Sequence, residues 1–216
     1  LRDLASLEEE GLLKRVYGGA VKINKSTGEL STSIRKSINP EKKNKIAKKA
    51  ILLISNGDSV FLDGSTTALA LASKISLLNN ITVITNGLEI INELVKNNNI
   101  KKICCGGELE EITGSFVGSY AENYLKEFFA DKAFISVSGI SLDYGITVEN
   151  PIQASIKKIM LANSLERIVL VDSSKFDNIR LVKVCSINSI NKIVTDCRPS
   201  DKYIKYFKQN NIEFFY

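Results

Sequence analysis

Short apolar runs alternate with amphipathic stretches along most of this chain. Runs rich in isoleucine and valine, such as 81–85, 100–105 and 133–137, have the composition of buried strands. Between them lie longer stretches, such as 88–96 and 151–162, whose apolar positions recur with the helical period. Strands that alternate with helices are typical of a mainly parallel sheet covered on both faces. The pattern therefore predicts an α/β fold of the doubly wound, Rossmann-like type.

The same pattern places the remaining elements of this α/β region. Asn39 and Pro40 suit the N-cap and the first turn of a helix. Further strands are predicted at 60–62, 168–171, 182–185, 192–195 and 212–216, and further helices after Thr67, at 119–128 and after Pro199.

The first part of the chain has a different pattern. Leu1, Leu4 and Leu7 mark one face of a helix, and two short apolar-basic runs around Gly18 and Gly19 predict a narrow hairpin, or wing. Residues 22–38 are polar and lack an apolar period, as a linker does. We therefore expect three parts: an appendage at 1–21, a linker at 22–38 and the α/β domain at 39–216.

The composition excludes several classes of protein. With 216 residues, 44% of them hydrophobic and 25% charged, the chain has enough apolar material for a sizeable core. It has no histidine, which excludes Ser-His-Asp catalysis and His-ligated metal sites. Its four cysteines show no CxxC spacing, and the adjacent Cys104 and Cys105 are expected to be buried in a reduced, cytoplasmic protein. No apolar stretch approaches the ~18 residues of a membrane span.

Positive charge is concentrated at the beginning of the chain. Residues 1–50 contain 12 Lys and Arg against 6 Asp and Glu, whereas residues 51–216 contain 17 against 18. A local basic excess suits binding to a polyanion such as DNA. For the lysines between 42 and 49, the alternative is a solvated helix face.

Small and hydroxyl residues follow several of the predicted strands. In open parallel sheets, ligands bind at the carboxyl ends of strands, near the point where the strand order reverses. The segment Asp63–Thr67 places a glycine and three hydroxyl residues at the start of a helix, which suits a phosphate; the alternative is an N-cap with a tight turn. Asp172 and Lys175 follow another strand and suit a sugar hydroxyl and a phosphate; the alternative is a surface loop.

Other strand ends, and the segment before one strand, carry weaker signals of the same kind. They are Thr85-Asn86-Gly87, Gly106-Gly107 and Asp131. Glycines at such positions allow a ligand to approach the backbone. No two carboxylates stand in a recognisable catalytic pattern, so no catalytic residue and no metal ligand is predicted.

These motifs, in this order, resemble a known family. Residues 1–21 are similar to the end of the winged helix-turn-helix of DeoR-type bacterial transcriptional regulators, and the remainder resembles the sugar-phosphate sensor domain of that family. The matching motifs are Asp63–Thr67, Val83–Asn86, Gly106–Leu109, Val117-Gly118, Asp131–Phe134, Gly139-Ile140, Tyr144–Thr147, Asp172–Phe176 and Thr195-Asp196. The resemblance implies a fold similar to ribose-5-phosphate isomerases and CoA transferases.

The resemblance also implies a function. The expected protein is a DNA-binding regulator of carbohydrate metabolism, in the role of a repressor, with a phosphorylated sugar or polyol as effector, operator DNA and a second copy of itself as partners, and no cofactor. Family members carry further residues before Leu1, so a truncated chain that does not read operator DNA specifically by itself is expected. The alternatives are a sugar-phosphate isomerase or CoA-transferase-like enzyme that uses the same pocket, and a sensor that acts through partner proteins.

Individual residues take their expected roles from the same resemblance. Gly64, Ser65, Thr66 and Thr67 would hold the phosphate. The expected remainder of the effector site is Asp63, Thr85, Asn86, Gly106, Gly107, Asp131, Gly139, Lys157, Asp172 and Lys175. The expected DNA-facing residues are Arg2, Lys14, Arg15, Gly18 and Gly19. The family usually has Glu-Ala where this chain has Gln153-Ala154, so the loss of one sugar contact is expected.

Overall fold

The computed structural model of the chain describes residues 13–16, 19–22 and 30–216. The helices are α1 (Thr32–Ser37), α2 (Pro40–Ala50), α3 (Thr66–Ile75), α4 (Leu88–Leu94), α5 (Gly118–Lys126), α6 (Pro151–Ala162) and α7 (Asp201–Gln209). The strands are β1 (Leu13–Val16), β2 (Gly19–Lys22), β3 (Ser59–Leu62), β4 (Ile81–Thr85), β5 (Ile100–Cys104), β6 (Glu108–Glu110), β7 (Ser115–Val117), β8 (Ala130–Ser136), β9 (Gly139–Ser141), β10 (Gly145–Val148), β11 (Ser164–Leu170), β12 (Val182–Cys185), β13 (Lys192–Val194) and β14 (Glu213–Phe215).

The main sheet has seven strands, and every pair of neighbours in it is parallel. The strand order is β14-β13-β11-β8-β3-β4-β5. From β3 the chain builds outward to one edge through β4 and β5, and from β8 it builds outward to the other edge. The strand order therefore reverses between β3 and β8, and the predicted α/β, mainly parallel fold is confirmed.

The side chains of this sheet alternate between two buried layers. Val60 and Leu62 pack with helices α2, α3 and α4, whereas Phe61, between them, packs with α5, α6 and α7. Both faces of a parallel sheet are covered in this way because its crossover helices lie on the faces. No helix among the described residues is long and apolar enough to cross a membrane.

Two helix starts show how the local sequence sets the elements near the carboxyl edge. Asn150 accepts the N–H of Ile152 at 2.9 Å, and Pro151 follows at the first helical position of α6. Helix α2 also begins at Pro40 as predicted, but Asn39 makes no side-chain cap and instead adopts a left-handed conformation with a φ of 49°. Asn39 thus joins α1 to α2 through a sharp turn.

The smaller elements correct the sequence analysis in three places. The predicted linker 22–38 contains a helix, α1, at Thr32–Ser37. Strand β12 does not join the main sheet but pairs antiparallel with β10, which also pairs with β9. A further antiparallel hairpin, β6–β7, lies between β5 and α5.

The N-terminal hairpin is present as predicted. Strands β1 and β2 pair antiparallel, from Leu13 opposite Lys22 to Val16 opposite Gly19. The predicted helical stripe of Leu1, Leu4 and Leu7 lies outside the described residues.

Candidate functional site

A cavity of about 400 Å³ lies where the main sheet changes its strand order. The loops that leave β3 and β8 form its floor, which is the position that ligands take in open parallel sheets. Its volume is in the range of small-molecule sites. The lining residues are Leu30, Arg35, Ile38, Lys43, Gly64, Ser65, Thr66, Thr67, Thr113, Ser136, Val137, Ser138, Val148, Glu149, Asn150, Gln153, Lys157, Asp172, Lys175 and Arg180.

The loop after β3 presents backbone N–H groups to this cavity. Asn86 accepts the N–H of Gly64 at 2.9 Å, and Ser65 Oγ accepts the N–H of Ala68 at 3.1 Å. The N–H groups of Thr66 and Thr67, the first two of α3, have no hydrogen-bond acceptor among the described residues. A Cβ on Gly64 would overlap Ser115 Oγ, so only glycine fits this turn. The loop is therefore tightly built, with free donors at the positive end of a helix.

A buried ion pair lies directly beneath this loop. Asp63 accepts the hydroxyl of Ser65 at 2.7 Å and the backbone N–H of Ser136 at 3.2 Å, and its carboxylate also pairs with Lys157 Nζ. Lys157 reaches the cavity from α6 and is itself buried. The pair ties α6 to the carboxyl ends of β3 and β8.

Basic side chains outnumber acidic ones around the cavity. The basic residues are Arg35, Lys43, Lys157, Lys175 and Arg180, and the acidic residues in the lining are Glu149 and Asp172. Arg180 Nε lies 3.3 Å from Glu149. Asp63 neutralises Lys157 from behind the wall, and Arg180 lies beside Glu149. Lys43 and Lys175 against Asp172 still leave a positive excess, as an anionic ligand requires.

Lys43 is a buried basic group whose pKa is shifted. Burial, helped by the charges of Arg35 and Lys175 and opposed by Asp172, lowers the pKa of Lys43 from 10.5 to about 8. Its Nζ donates to the backbone carbonyl of Arg35. A strongly perturbed lysine in a cavity is a frequent feature of functional sites.

Asp172 shapes the opposite wall. It accepts the N–H of Ser174 at 2.9 Å and so caps the short 3-10 turn Ser173–Lys175. Lys42 of α2 donates to Ser173 Oγ at 2.8 Å. This turn carries the side chain of Lys175 to the cavity.

A network around Glu110 forms a third wall. Its carboxylate accepts from Asn150 Nδ2 at 2.8 Å, from Gln153 Nε2 at 2.7 Å and from Thr113 Oγ1 at 2.7 Å. Gln153 Nε2 also donates to Thr113 Oγ1 at 3.1 Å. The turn after β6 is thereby fixed to the start of α6.

The segment 30–38, which contains α1, forms a further wall of the cavity. Leu30, Arg35 and Ile38 contribute to the lining. The N–H of Thr32 donates to the carbonyl of Ile112 at 2.8 Å, and Lys36 pairs with Glu89. A second groove of about 530 Å³ includes Lys36 and shares Lys43 and Thr66 with the first, so α1 lies between two open spaces.

The structure brings about half of the predicted effector residues together. Those in the cavity lining are Gly64, Ser65, Thr66, Thr67, Lys157, Asp172 and Lys175, with Asp63 directly behind them. Thr85 and Asn86 are buried behind the loop, where Asn86 also donates to the carbonyl of Phe116 at 3.1 Å. These two residues build the site without lining it.

Asp131 is not brought to the cavity. It lies near the amino end of β8, at the opposite edge of the sheet, and accepts the N–H of Ser59 at 2.8 Å and its hydroxyl at 2.7 Å. These hydrogen bonds lower the pKa of Asp131. Its place in the expected pocket is corrected to a structural one, the joining of β3 to β8.

The three remaining glycines also lie outside the lining. Gly107 has a φ of +128°, and a Cβ there would lie 2.7 Å from the carbonyl of Val117. Gly139 packs against the backbone of Asn178, where a Cβ would overlap the carbonyl oxygen. Gly106 is exposed. Backbone conformation accounts for Gly107 and close packing for Gly139, so neither needs a ligand to explain it.

The expected DNA-facing residues are only partly within the described ranges. Lys14 and Arg15 belong to β1, and Gly19 begins β2. Arg2 and Gly18 lie outside the described residues.

Sequence reasoning missed the residues that complete the walls. They are Arg35, Lys43, Glu110, Thr113, Ser138, Glu149, Asn150 and Arg180. Asn150 is recognisable as an N-cap before Pro151, which places it at the carboxyl edge; the others carry no local signal. Within the described part of the chain, no three acidic or cysteine side chains converge as a metal site requires.

Comparison with known proteins gives matches over most of the chain. The family model described as the DeoR C terminal sensor domain matches residues 38–197. The transcriptional repressor AccR of Agrobacterium fabrum is 37% identical over 90% of this chain and 76% of its own length. The lactose phosphotransferase system repressor of Lactococcus lactis is 36% identical over 96% of this chain and 82% of its own length.

The fold is shared with one solved structure, and a second solved structure aligns with part of the chain. The tetrameric eIF2B-beta2-delta2 complex from C. thermophilum aligns with a TM-score of 0.55 at 13% identity, over 79% of this chain and 60% of that chain. Ribose 5-phosphate isomerase A from Methanocaldococcus jannaschii aligns with a TM-score of 0.46 at 21% identity, over 64% of this chain and 55% of that chain.

Proposed function

Since the chain belongs to the DeoR family of transcriptional regulators, we propose that it represses a carbohydrate operon and that its cavity binds a phosphorylated sugar or polyol. A relative at 36% identity is named as the repressor of a lactose phosphotransferase system, which agrees with this proposal. The observation that carries the proposal is the free amide pair of Thr66 and Thr67 facing a cavity with excess positive charge.

The two ends of such a ligand would meet different chemistry. The amides of Thr66 and Thr67, with the hydroxyl groups of the same two residues, donate to phosphate oxygens, and Lys175 adds a charge-assisted contact. The polar groups farther along the walls, including Ser138 and Asp172, suit the hydroxyl groups of a sugar. A phosphate dianion would neutralise the positive excess of the cavity.

The route from the cavity to DNA passes through α1. Under this proposal residues 1–21 belong to the DNA-binding head, 22–38 connect it to the sensor, and 39–216 form the sensor. Arg35 of α1 lines the cavity together with Leu30 and Ile38, so a bound effector would lie against the connection. An effector that binds one arrangement of α1 more tightly than another shifts DNA affinity by linkage. Paired operator half-sites would require a homo-oligomer.

A thermal-shift screen tests the binding step. Sugar phosphates should raise the melting temperature, while the same sugars without phosphate should not, because only the former engage the loop and the cations. Lys175→Ala should weaken binding about tenfold, the effect of losing one hydrogen bond to a charged group. Ser65→Ala should also weaken binding, because Ser65 caps α3 and donates its hydroxyl to Asp63, and its loss loosens the loop that carries the free amides. Lys158→Ala removes an exposed lysine beside Lys157 on α6 and is the matched control.

The same screen distinguishes a regulator from an enzyme. Chromatography of the sugar phosphates after incubation should recover them unchanged. Turnover of a stabilising compound would contradict the regulator as stated, and the absence of stabilisation by every phosphorylated compound would contradict the site.

A further inference from the structure

Glu110 lies behind the cavity wall, and its side-chain hydrogen-bond partners among the described residues are all uncharged. It ends β6, and its partners are the amide groups of Asn150 and Gln153 and the hydroxyl of Thr113. Its distances to these partners, 2.7 to 2.8 Å, are those of well-formed hydrogen bonds. A carboxylate held by three donors in this way is a fixed acceptor.

This carboxylate determines which way the Gln153 amide faces. An ionised carboxylate only accepts hydrogen bonds, so Gln153 must turn its NH₂ group toward Glu110. Both amide hydrogens are then used, one on Glu110 Oε2 and the other on Thr113 Oγ1. The orientation of the amide follows from the chemistry of its partners.

The carbonyl oxygen of Gln153 is left for something else. Gln153 lines the cavity, and its Oε1 accepts no hydrogen bond from any described residue. This oxygen is not fully buried, so a ligand in the cavity can reach it. The neighbouring Asn150 differs, because its Oδ1 already accepts the N–H of Ile152. Gln153 is therefore the amide in this wall with an unused acceptor.

We propose that Gln153 is a specificity-determining residue whose Oε1 accepts a hydrogen bond from a hydroxyl group of the bound ligand, and that Glu110 is the positioning residue that holds it in that orientation. This rests on the proposed sugar-phosphate site. A carbonyl oxygen repels phosphate oxygens, so the contact belongs to the sugar end of the ligand. An analogue that lacks the hydroxyl would leave a desolvated acceptor without a donor, and its binding would be weakened.

The sequence predicted that Gln153, in place of the usual glutamate, loses a contact to the sugar. Under this proposal Gln153 instead makes a contact of its own. A glutamate at 153 would face the carboxylate of Glu110 at hydrogen-bond distance and repel it. Glutamine keeps an acceptor toward the cavity and supplies the donors that Glu110 needs. The residue types at 110 and 153 are therefore matched.

The test compares sugar phosphates with their monodeoxy analogues by isothermal titration calorimetry. The probes are glucose 6-phosphate, galactose 6-phosphate and fructose 1-phosphate, each beside its monodeoxy analogues, with inorganic phosphate as the reference. The wild-type protein should bind at least one parent compound about tenfold or more tightly than one of its analogues. Gln153→Leu should remove this discrimination and leave the affinity for inorganic phosphate unchanged.

Two further variants separate positioning from general stability. Glu110→Gln keeps the shape of the side chain but no longer forces the orientation of Gln153, so discrimination should fall while inorganic phosphate still binds. Glu108→Gln changes an exposed carboxylate on the same strand and should retain full discrimination. A loss of phosphate binding in Glu110→Gln would indicate a folding defect. The discrimination shown by Gln153→Leu would then decide whether Gln153 contacts the ligand.

The outcomes distinguish this inference from the proposed function. Binding of a sugar phosphate with no hydroxyl discrimination, or with discrimination that Gln153→Leu leaves intact, overturns the role of Gln153 and leaves the sugar-phosphate site standing. Failure of every sugar phosphate and of inorganic phosphate to bind overturns both.

Discussion

Lys43 makes ligand binding depend on pH. Burial lowers its pKa to about 8, and Arg35 and Lys175 act in the same direction against Asp172. A dianion in the cavity favours the charged lysine, so binding above pH 8 must take up a proton. Affinity for a sugar phosphate should therefore fall as the pH rises above about 8. Calorimetry in buffers of different ionisation enthalpy measures the proton uptake, and Lys43→Met should abolish it.

The ligand-free protein should show the opposite trend. A group whose folded pKa lies below its unfolded value contributes stability above the unfolded pKa and loses it as the pH falls through the folded pKa. For Lys43 these limits are 10.5 and about 8, so its contribution to the free energy of unfolding rises between them. Denaturant titrations of the wild type and Lys43→Met across this range isolate the contribution. Parallel profiles for the two proteins would contradict it.

The buried Asp63–Lys157 pair beneath the site is expected to contribute to the stability of the fold. The two side chains are only 2% and 8% exposed, so removal of one partner leaves a buried charge. Lys157→Met should lower the free energy of unfolding by about 3–5 kcal/mol, and Asp63→Asn with Lys157→Met should recover part of that loss. Chemical denaturation of the single and double variants measures the coupling. A double variant as unstable as the sum of the single variants would show that the pair is not coupled.

Among the elements, α1 is the one most open to control by a ligand. None of its residues is fully buried, and its contacts include the Thr32–Ile112 hydrogen bond, the Lys36–Glu89 pair and the hydrogen bond from Lys43 Nζ to the Arg35 carbonyl. Elements with few buried contacts open at low free energy. A ligand that contacts Arg35 on α1 and the loop before α3 should therefore slow amide exchange in α1.

Hydrogen exchange with mass spectrometry measures this effect. Exchange in the peptide 30–39 should slow on addition of a sugar phosphate that calorimetry shows to be bound, whereas α7, on the far face of the sheet, should be unaffected. Arg35→Gln should reduce the protection. Unchanged exchange in 30–39 at saturating ligand would contradict a role of α1 in signalling.

The elements also show what periodicity could and could not predict. The strands and helices of the main sheet each bury a regular apolar pattern, so their positions were predictable to within a few residues. Helix α1 escaped prediction because it buries no residue completely and its sequence reads as a polar linker. Strands β6, β7, β9 and β10 escaped because they form short antiparallel pairs with no helix between the two strands, which the strand–helix alternation does not indicate.

The whole molecule decides which predicted residues meet. Asp63 and Asp131 both stand beside buried strands in the sequence, but one follows β3 and the other lies near the start of β8, at opposite edges of the sheet. Because the strands are parallel, a residue after one strand and a residue at the start of another lie at opposite edges of the sheet. This separation of Asp63 from Asp131 can be predicted from the sequence. Glu110 and Gln153 are 43 residues apart and meet only through the folding of β6 over α6, for which the sequence carries no local signal.

The distribution of charge over the whole chain leads to a last prediction. Residues 1–50 hold 12 basic and 6 acidic residues, while the rest of the chain is nearly neutral. Duplex DNA should therefore bind weakly, with a linear dependence of log affinity on log salt, and Lys14→Ala with Arg15→Ala should reduce the slope by about 2, one for each lost phosphate contact. Fluorescence anisotropy at several salt concentrations measures the slope.

The control changes two exposed lysines of the sensor, Lys101→Ala with Lys158→Ala, and should leave the slope unchanged. A DNA-binding head must concentrate its phosphate contacts in the N-terminal hairpin. An equal fall of the slope in both double variants would instead show contacts spread over the whole surface and would contradict the prediction.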